Sequence, residues 1–231
     1  MEKGAQITGS AGFRAGRPRG RLVPRSFFAG SPDVVGPRLL GKLLAVRGRG
    51  GFLAGRIVEV EAYLGPHIDP PDPAAHSFRG PTPRNLVLFG PPGHAYVYAI
   101  YGRYFCMNIT CEVEGLAGCL LLRALEPTAG LGQMAANRGL SRTASPRLLT
   151  SGPSRLCQAL GLTRLRHNGV DVTSARSPVQ VREDGCMVRE ALVTVRIGIR
   201  HAVELPLRFT LPGHACVSGA RSLSGASLVV S

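Results

Sequence analysis

Tryptophan is absent from the 231-residue chain, and lysine occurs only at positions 3 and 42. No apolar run approaches the roughly eighteen residues of a membrane-spanning helix, so none is expected. Six cysteines, at 106, 111, 119, 157, 186 and 216, form no C-x-x-C pair and have no H-x-x-x-H partner. That spacing excludes zinc-ribbon, zinc-finger and thioredoxin-like readings. The H-x-E with P-C-x-x-C signature of zinc base deaminases is missing as well. The cysteine density is too low for a disulfide scaffold, and no apolar signal-peptide core is present, so the expectation is an intracellular protein with free thiols. Acidic residues are scarce too, at 14 against 28 Lys+Arg, which leaves a net charge of +14.

Against these absences stand 44% hydrophobic and 18% charged residues, the balance of a globular chain with one sizeable core. The charge points to a polyanionic partner. All but two of the basic residues are arginines, whose planar fork suits phosphates. Residues 1–26 hold Lys3, Arg14, Arg17, Arg19, Arg21 and Arg25 against Glu2 alone, among glycines and without apolar periodicity. This is the composition of a disordered basic arm.

Ser31 as cap and Pro32 in the first turn predict a short helix through Leu40, despite Pro37. Strands follow at 43–46 and 52–63, joined by the turn 48–51. The proline-rich stretch 66–92 reads as a long loop, the kind that tends to be functional. Segments 94–100 and 103–109 form a β-hairpin with Tyr101-Gly102 at its tip, and a strand at 119–123 comes next. Helices are expected at 131–137 and 153–160, then three or four short strands within 179–209. The sum is an α+β single domain over 27–218, a curved and mostly antiparallel sheet with short helices and a protruding β-hairpin, followed by a frayed tail at 219–231.

All five tyrosines, at 63, 96, 98, 101 and 104, fall within forty-two residues of an otherwise aromatic-poor chain. In the strand ending at Tyr63, alternation sets Val58, Val60 and Ala62 on one face and Glu59, Glu61 and Tyr63 on the other. A carboxylate thus stands beside an aromatic ring. Strict alternation about a two-residue loop puts Tyr98 and Asn108 on opposite faces of the hairpin, and only a bulge or another register brings them together. Arg84, Arg123 and Arg155, the last in the first turn of a helix, are candidates for phosphate contacts.

The ordered motifs Arg56-Ile57-Val58-Glu59-Val60-Glu61-Ala62-Tyr63-Leu64-Gly65, Ala75-His76-Ser77, Thr82-Pro83-Arg84-Asn85, Tyr96-Val97-Tyr98, Tyr101-Gly102, Cys106-Met107-Asn108, Leu122-Arg123-Ala124 and Ser151-Gly152-Pro153-Ser154 resemble the alkyladenine (3-methyladenine) DNA glycosylase family. The resemblance runs from about Phe27 to Ser218. It implies that Glu61 is the general base activating water for attack on C1′ of a flipped nucleotide, with Arg123 orienting the site. Tyr63, His76 and Tyr98 would wall the base pocket, Tyr101 would fill the gap in the duplex, and Asn108 would screen purines. It further implies a monomer that acts on damaged double-stranded DNA without a metal or organic cofactor.

The chemistry agrees with these roles. Extruding a base costs a few kcal/mol, which an aromatic wedge partly offsets. A cationic alkylated purine gains roughly 0.5–2 kcal/mol on an aromatic face. Imine chemistry needs an amine, and the only internal lysine is Lys42, so a lyase is not expected. The competing class is a non-catalytic nucleic-acid-binding module built on charge and tyrosine stacking. Such a module has no use for a carboxylate beside the tyrosines.

Overall fold

The computed structural model describes residues 18–219 and 225–230. Its elements are β1 (Arg21–Leu22), α1 (Pro32–Leu39), β2 (Leu43–Gly48), β3 (Gly51–Tyr63), β4 (Ala95–Ile100), β5 (Tyr104–Cys111), β6 (Gly118–Ala129), α2 (Leu131–Asn137), α3 (Pro146–Thr150), α4 (Pro153–Leu160), α5 (Arg164–His167), β7 (Val179–Glu183), β8 (Glu190–Thr194), β9 (Arg208–Thr210) and β10 (Ala226–Val229). The strands pair antiparallel in the order β1-β7-β2-β3-β6-β5-β4, with β9 also on β3 and β8 between β9 and β10. The expected α+β class holds.

The site depends on the two faces of β3–β6–β5–β4. One face turns Ile57, Val60 and Ala62, Leu120 and Leu122, Met107 and Ile109, and Ala95 and Val97 into the main core. There they meet Val35 and Leu39 of α1, Met134 of α2, Leu149 of α3 and Leu156 and Leu160 of α4. Because side chains alternate along a strand, the intervening residues face the other way. These include Glu61 and Tyr63, Cys119, Leu121 and Arg123, Cys106 and Asn108, and Tyr96 and Tyr98.

Alternation fails once in β3, where the register against β6 shifts on both sides of Glu59. Val58 therefore leaves the expected Val58–Val60–Ala62 face and packs with Ala124, Cys216 and Val217. Such a bulge re-aims side chains locally. Glu59, Glu61 and Tyr63 still share one side.

The hairpin register also differs from expectation. Tyr101 (φ 49°) and Gly102 (φ 71°) both take left-handed backbone, and Arg103 N–H donates to the Ile100 carbonyl at 3.3 Å. Two positive φ values are the signature of a type I′ hairpin turn. Arg103 nevertheless remains outside the ladder, and Ile100 pairs with Tyr104. The one-residue shift turns all of β5 over. Tyr96 stands opposite Asn108 and Tyr98 opposite Cys106, all on one face.

Two boundaries move. Arg21–Leu22 pair with Glu183 and Arg182, so order begins before residue 26, and residues 1–17 of the expected arm lie outside the described residues. The expected frayed tail contains β10, paired with β8, while 220–224 and 231 lie outside the described residues. Ser31 is the N-cap residue of α1, but its hydroxyl bonds Asp33 rather than capping the helix. No helix among the described residues is long and apolar enough to cross a membrane.

Candidate active site

A cavity of about 300 Å³ opens on the outward face of β3–β6–β5–β4. Its lining includes Tyr63 from the end of β3, His76 from the proline-rich loop, Tyr98 from β4, Asn108 from β5, Arg123 from β6 and Tyr101 from the hairpin tip. It is of the size that encloses a small ligand. Sequence reasoning left Tyr96, Cys106, Cys119 and Ile197 unassigned, and all four line it too.

The aromatic wall is built edge to face. The His76 ring lies 4.6 Å from that of Tyr98 at 72°, and Tyr96 stacks near-parallel on Tyr98 at 5.5 Å. His76 Nδ1 is 3.1 Å from the Tyr96 hydroxyl. Burial, together with the Arg84 charge, lowers the His76 pKa below its ordinary value and favours neutral imidazole. Burial raises the phenols of Tyr63 and Tyr98 well above theirs, so both remain hydrogen-bond donors. His76 is held in place by Asn85, whose amide donates to the His76 carbonyl at 2.8 Å and whose carbonyl accepts from Thr82 N–H at 2.6 Å.

Glu61 is fully buried and is not itself part of the lining. Three of its neighbours are. Tyr63 donates its hydroxyl to Glu61 Oε2 at 3.0 Å, Ile197 N–H donates to Oε1 at 2.7 Å, and Arg123 Nη1 lies 3.1 Å from Oε1. Oε2 therefore carries a single hydrogen bond and keeps acceptor capacity. Burial alone would lower the Arg123 pKa, but the Glu61 and Glu59 carboxylates outweigh it and raise it.

Glu59 has a different environment. Its Oε1 accepts from Arg123 Nε (2.9 Å), Arg208 Nε (2.7 Å) and the Ser218 hydroxyl (2.8 Å), and its Oε2 accepts from Ser218 N–H (2.6 Å). A carboxylate so engaged holds strands together, and of its partners only Arg123 reaches the cavity lining, whereas all three partners of Glu61 do.

The outlying arginines separate from the cavity. Arg84 lines an adjoining cleft of about 270 Å³ that shares His76 and Tyr96 with it. Arg155 is exposed on α4 and donates to the Ser151 carbonyl at 3.4 Å, although Pro153 at the helix start does line the cavity. Tyr101 is 89% exposed. The described residues hold no cluster of three or more His, Cys, Asp or Glu suited to a metal ion.

Sequence reasoning also missed an ion pair under the site. Arg196 and Asp72 are joined by two bonds, Nη1 to Oδ2 at 2.5 Å and Nη2 to Oδ1 at 2.9 Å, with both side chains fully buried. Asp72 further accepts from Leu64 N–H and Ala74 N–H, which fixes the loop that delivers His76. An aspartate among four prolines and a distant loop arginine carry no local signal of such a pairing.

A family model described as methylpurine-DNA glycosylase matches residues 26–215. Among curated relatives, a protein of Koribacter versatilis is 52% identical over 201 residues, covering 87% of this chain and 95% of that one. One from Nitrobacter winogradskyi is 46% identical over 199 residues, 86% and 88% of the two chains. One from Rhodopseudomonas palustris is 48% identical over 192 residues, 83% and 85%. All three are named, provisionally, as 3-methyladenine DNA glycosylases.

The contrast between the two glutamates is measurable. Removing one partner of a buried charged cluster costs about 3–5 kcal/mol, and each kcal/mol lowers Tm by about 2–4 °C in a domain of this size. Glu59→Gln should therefore melt about 6–20 °C below the parent in thermal denaturation. A shift within 2 °C or so would remove Glu59 from its structural role.

Proposed function

The chain belongs to the methylpurine-DNA glycosylase family, and from that membership we propose that it is a monofunctional hydrolase that draws alkylated or deaminated purines out of duplex DNA and cuts their N-glycosidic bonds with water. As a 3-methyladenine DNA glycosylase it acts on DNA. The observation that carries the finer reading is Glu61, a buried carboxylate with one partly free oxygen directly beneath an aromatic-walled cavity. A binding module that only stacks bases gains nothing from burying a carboxylate there.

In this reading the extruded purine occupies the space between Tyr63, His76 and Tyr98, with its C1′ toward Glu61. The C1′–N bond breaks with its electron pair leaving on the base, while the sugar gains positive charge that the carboxylate stabilises. A water beside Oε2 supplies the oxygen that bonds C1′, and Glu61 takes its proton. Arg123 and the Ile197 N–H hold the other oxygen and so orient the lone pairs of Oε2. Tyr101, exposed at the hairpin tip on the rim of the cavity, fills the gap that the base leaves in the stack. Asn108 tests the purine edge, and Arg84 and Arg155 serve the phosphates on either side. Among the described residues the cavity lining holds no lysine, and Lys42 is engaged with Glu183 at 3.1 Å, so this reading uses water rather than an amine as the nucleophile.

The decisive experiment is single-turnover release of hypoxanthine, a neutral base that leaves slowly unaided. Glu61→Gln keeps the shape and should lower the rate by about 10²–10⁴ while binding lesion-containing duplex within a few-fold of the parent. Near-parent excision would take the general-base role away from Glu61, and no release by the parent would favour the stacking-module reading. Tyr101→Ala should reduce the extruded fraction, read from a fluorescent base analogue opposite the lesion. Unchanged extrusion would leave Tyr101 an ordinary turn residue. Asn108→Ser should begin to release undamaged guanine, whose 2-amino group adenine lacks, and an unaltered product spectrum would deny Asn108 its screening role.

A further inference from the structure

The pocket tyrosine nearest Glu61 already has a cation on it. The Arg196 guanidinium carbon lies 4.6 Å from the centre of the Tyr63 ring. Arg196 is fully buried and absent from the cavity lining, whereas Tyr63 is part of that lining, so the charge sits behind the ring as the cavity sees it. Its position is over-determined by Asp72, by the Ala62 carbonyl at 3.0 Å and by the neighbouring Ile197, whose N–H binds Glu61.

This arrangement bears on which purines gain from the pocket. An aromatic face attracts cations through its negative quadrupole, and a guanidinium already on the ring spends that attraction and adds Coulomb repulsion through it. Asp72 pairs with Arg196 and reduces this repulsion, but the guanidinium rather than the carboxylate stands over the ring. Glu59, Glu61 and Asp72 are matched by Arg123, Arg196 and Arg208, and Arg84 stands near His76. A ring so occupied has less cation attraction to offer a base than a ring with no cation behind it.

We propose that Arg196 is a specificity-determining positioning residue that acts through Tyr63, weighting the pocket toward neutral purine lesions and against cationic ones. The inference rests on the glycosylase reading above. Asp72 enters as the counter-charge that sets how strongly Arg196 is felt.

The test measures excision under subsaturating enzyme from duplexes carrying one 7-methylguanine or one hypoxanthine, and takes the ratio of the two rates. The variant Arg196→Met with Asp72→Asn removes both charges together and so leaves no buried charge unpaired. It should raise the cationic-to-neutral ratio about three- to tenfold. Asp72→Asn alone leaves Arg196 uncompensated and should lower the same ratio. A purely structural role loosens the same loops in both variants and moves both ratios the same way, or neither, and that result overturns the proposal. If the double variant does not fold, Asp72→Asn decides alone, since a ratio that fails to drop is equally fatal. Should the parent release neither base, the glycosylase reading itself fails, which is a separate outcome from an unresponsive ratio.

Discussion

The desolvation of charge beneath the cavity constrains everything built above it. Glu59, Glu61 and Asp72 are all removed from water, and a carboxylate in that position is tolerable only when donors surround it. The donors come from far along the chain. Arg123 lies on β6, Arg208 on β9, Arg196 on the loop after β8, and Ser218 near the end of the described fold. Meeting the carboxylates' needs therefore fastens β3 to β6 and β9 and draws two loops over the sheet. The same bonds that make the fold possible give Glu61 a fixed orientation, so stability and preorganisation come from one set of contacts.

Much of this was legible in the chain. Alternation along β3 put Glu59, Glu61 and Tyr63 on one side because a strand has a period of two, and the spacing of proline and glycine marked α4 correctly. Glu61, Tyr63, His76, Tyr98, Asn108 and Arg123 do come together around one cavity. What alternation could not supply was register. The turn chemistry of Tyr101-Gly102 suggested a two-residue loop, whereas Arg103 stays unpaired as a third residue, and that one residue decides which way Asn108 points. The bulge at Glu59, which sends Val58 to the other face, is likewise a property of pairing between strands rather than of either strand. Long-range ion pairs such as Asp72 with Arg196 have no local periodicity at all.

Charge shows a similar division between composition and arrangement. The excess of arginine pointed to a polyanion, and the exposed Arg84 and Arg155 remain available for that purpose. Arg123, Arg196 and Arg208 are instead consumed by carboxylates in the interior. Net charge counted every arginine alike, and only the geometry separates those that face a partner from those that hold the protein together.

The buried cysteines have a consequence for durability. Cys106 and Cys119 border the cavity, and Cys111 and Cys157 lie in the core. Burial pushes the Cys119 thiol up to about 12 and raises the other three as well. The thiolate, not the thiol, attacks electrophiles, so thiols held protonated react slowly. An enzyme that repairs alkylated bases works amid the reagents that make them. Held as neutral thiols, the cavity sulfurs are poor nucleophiles toward such reagents.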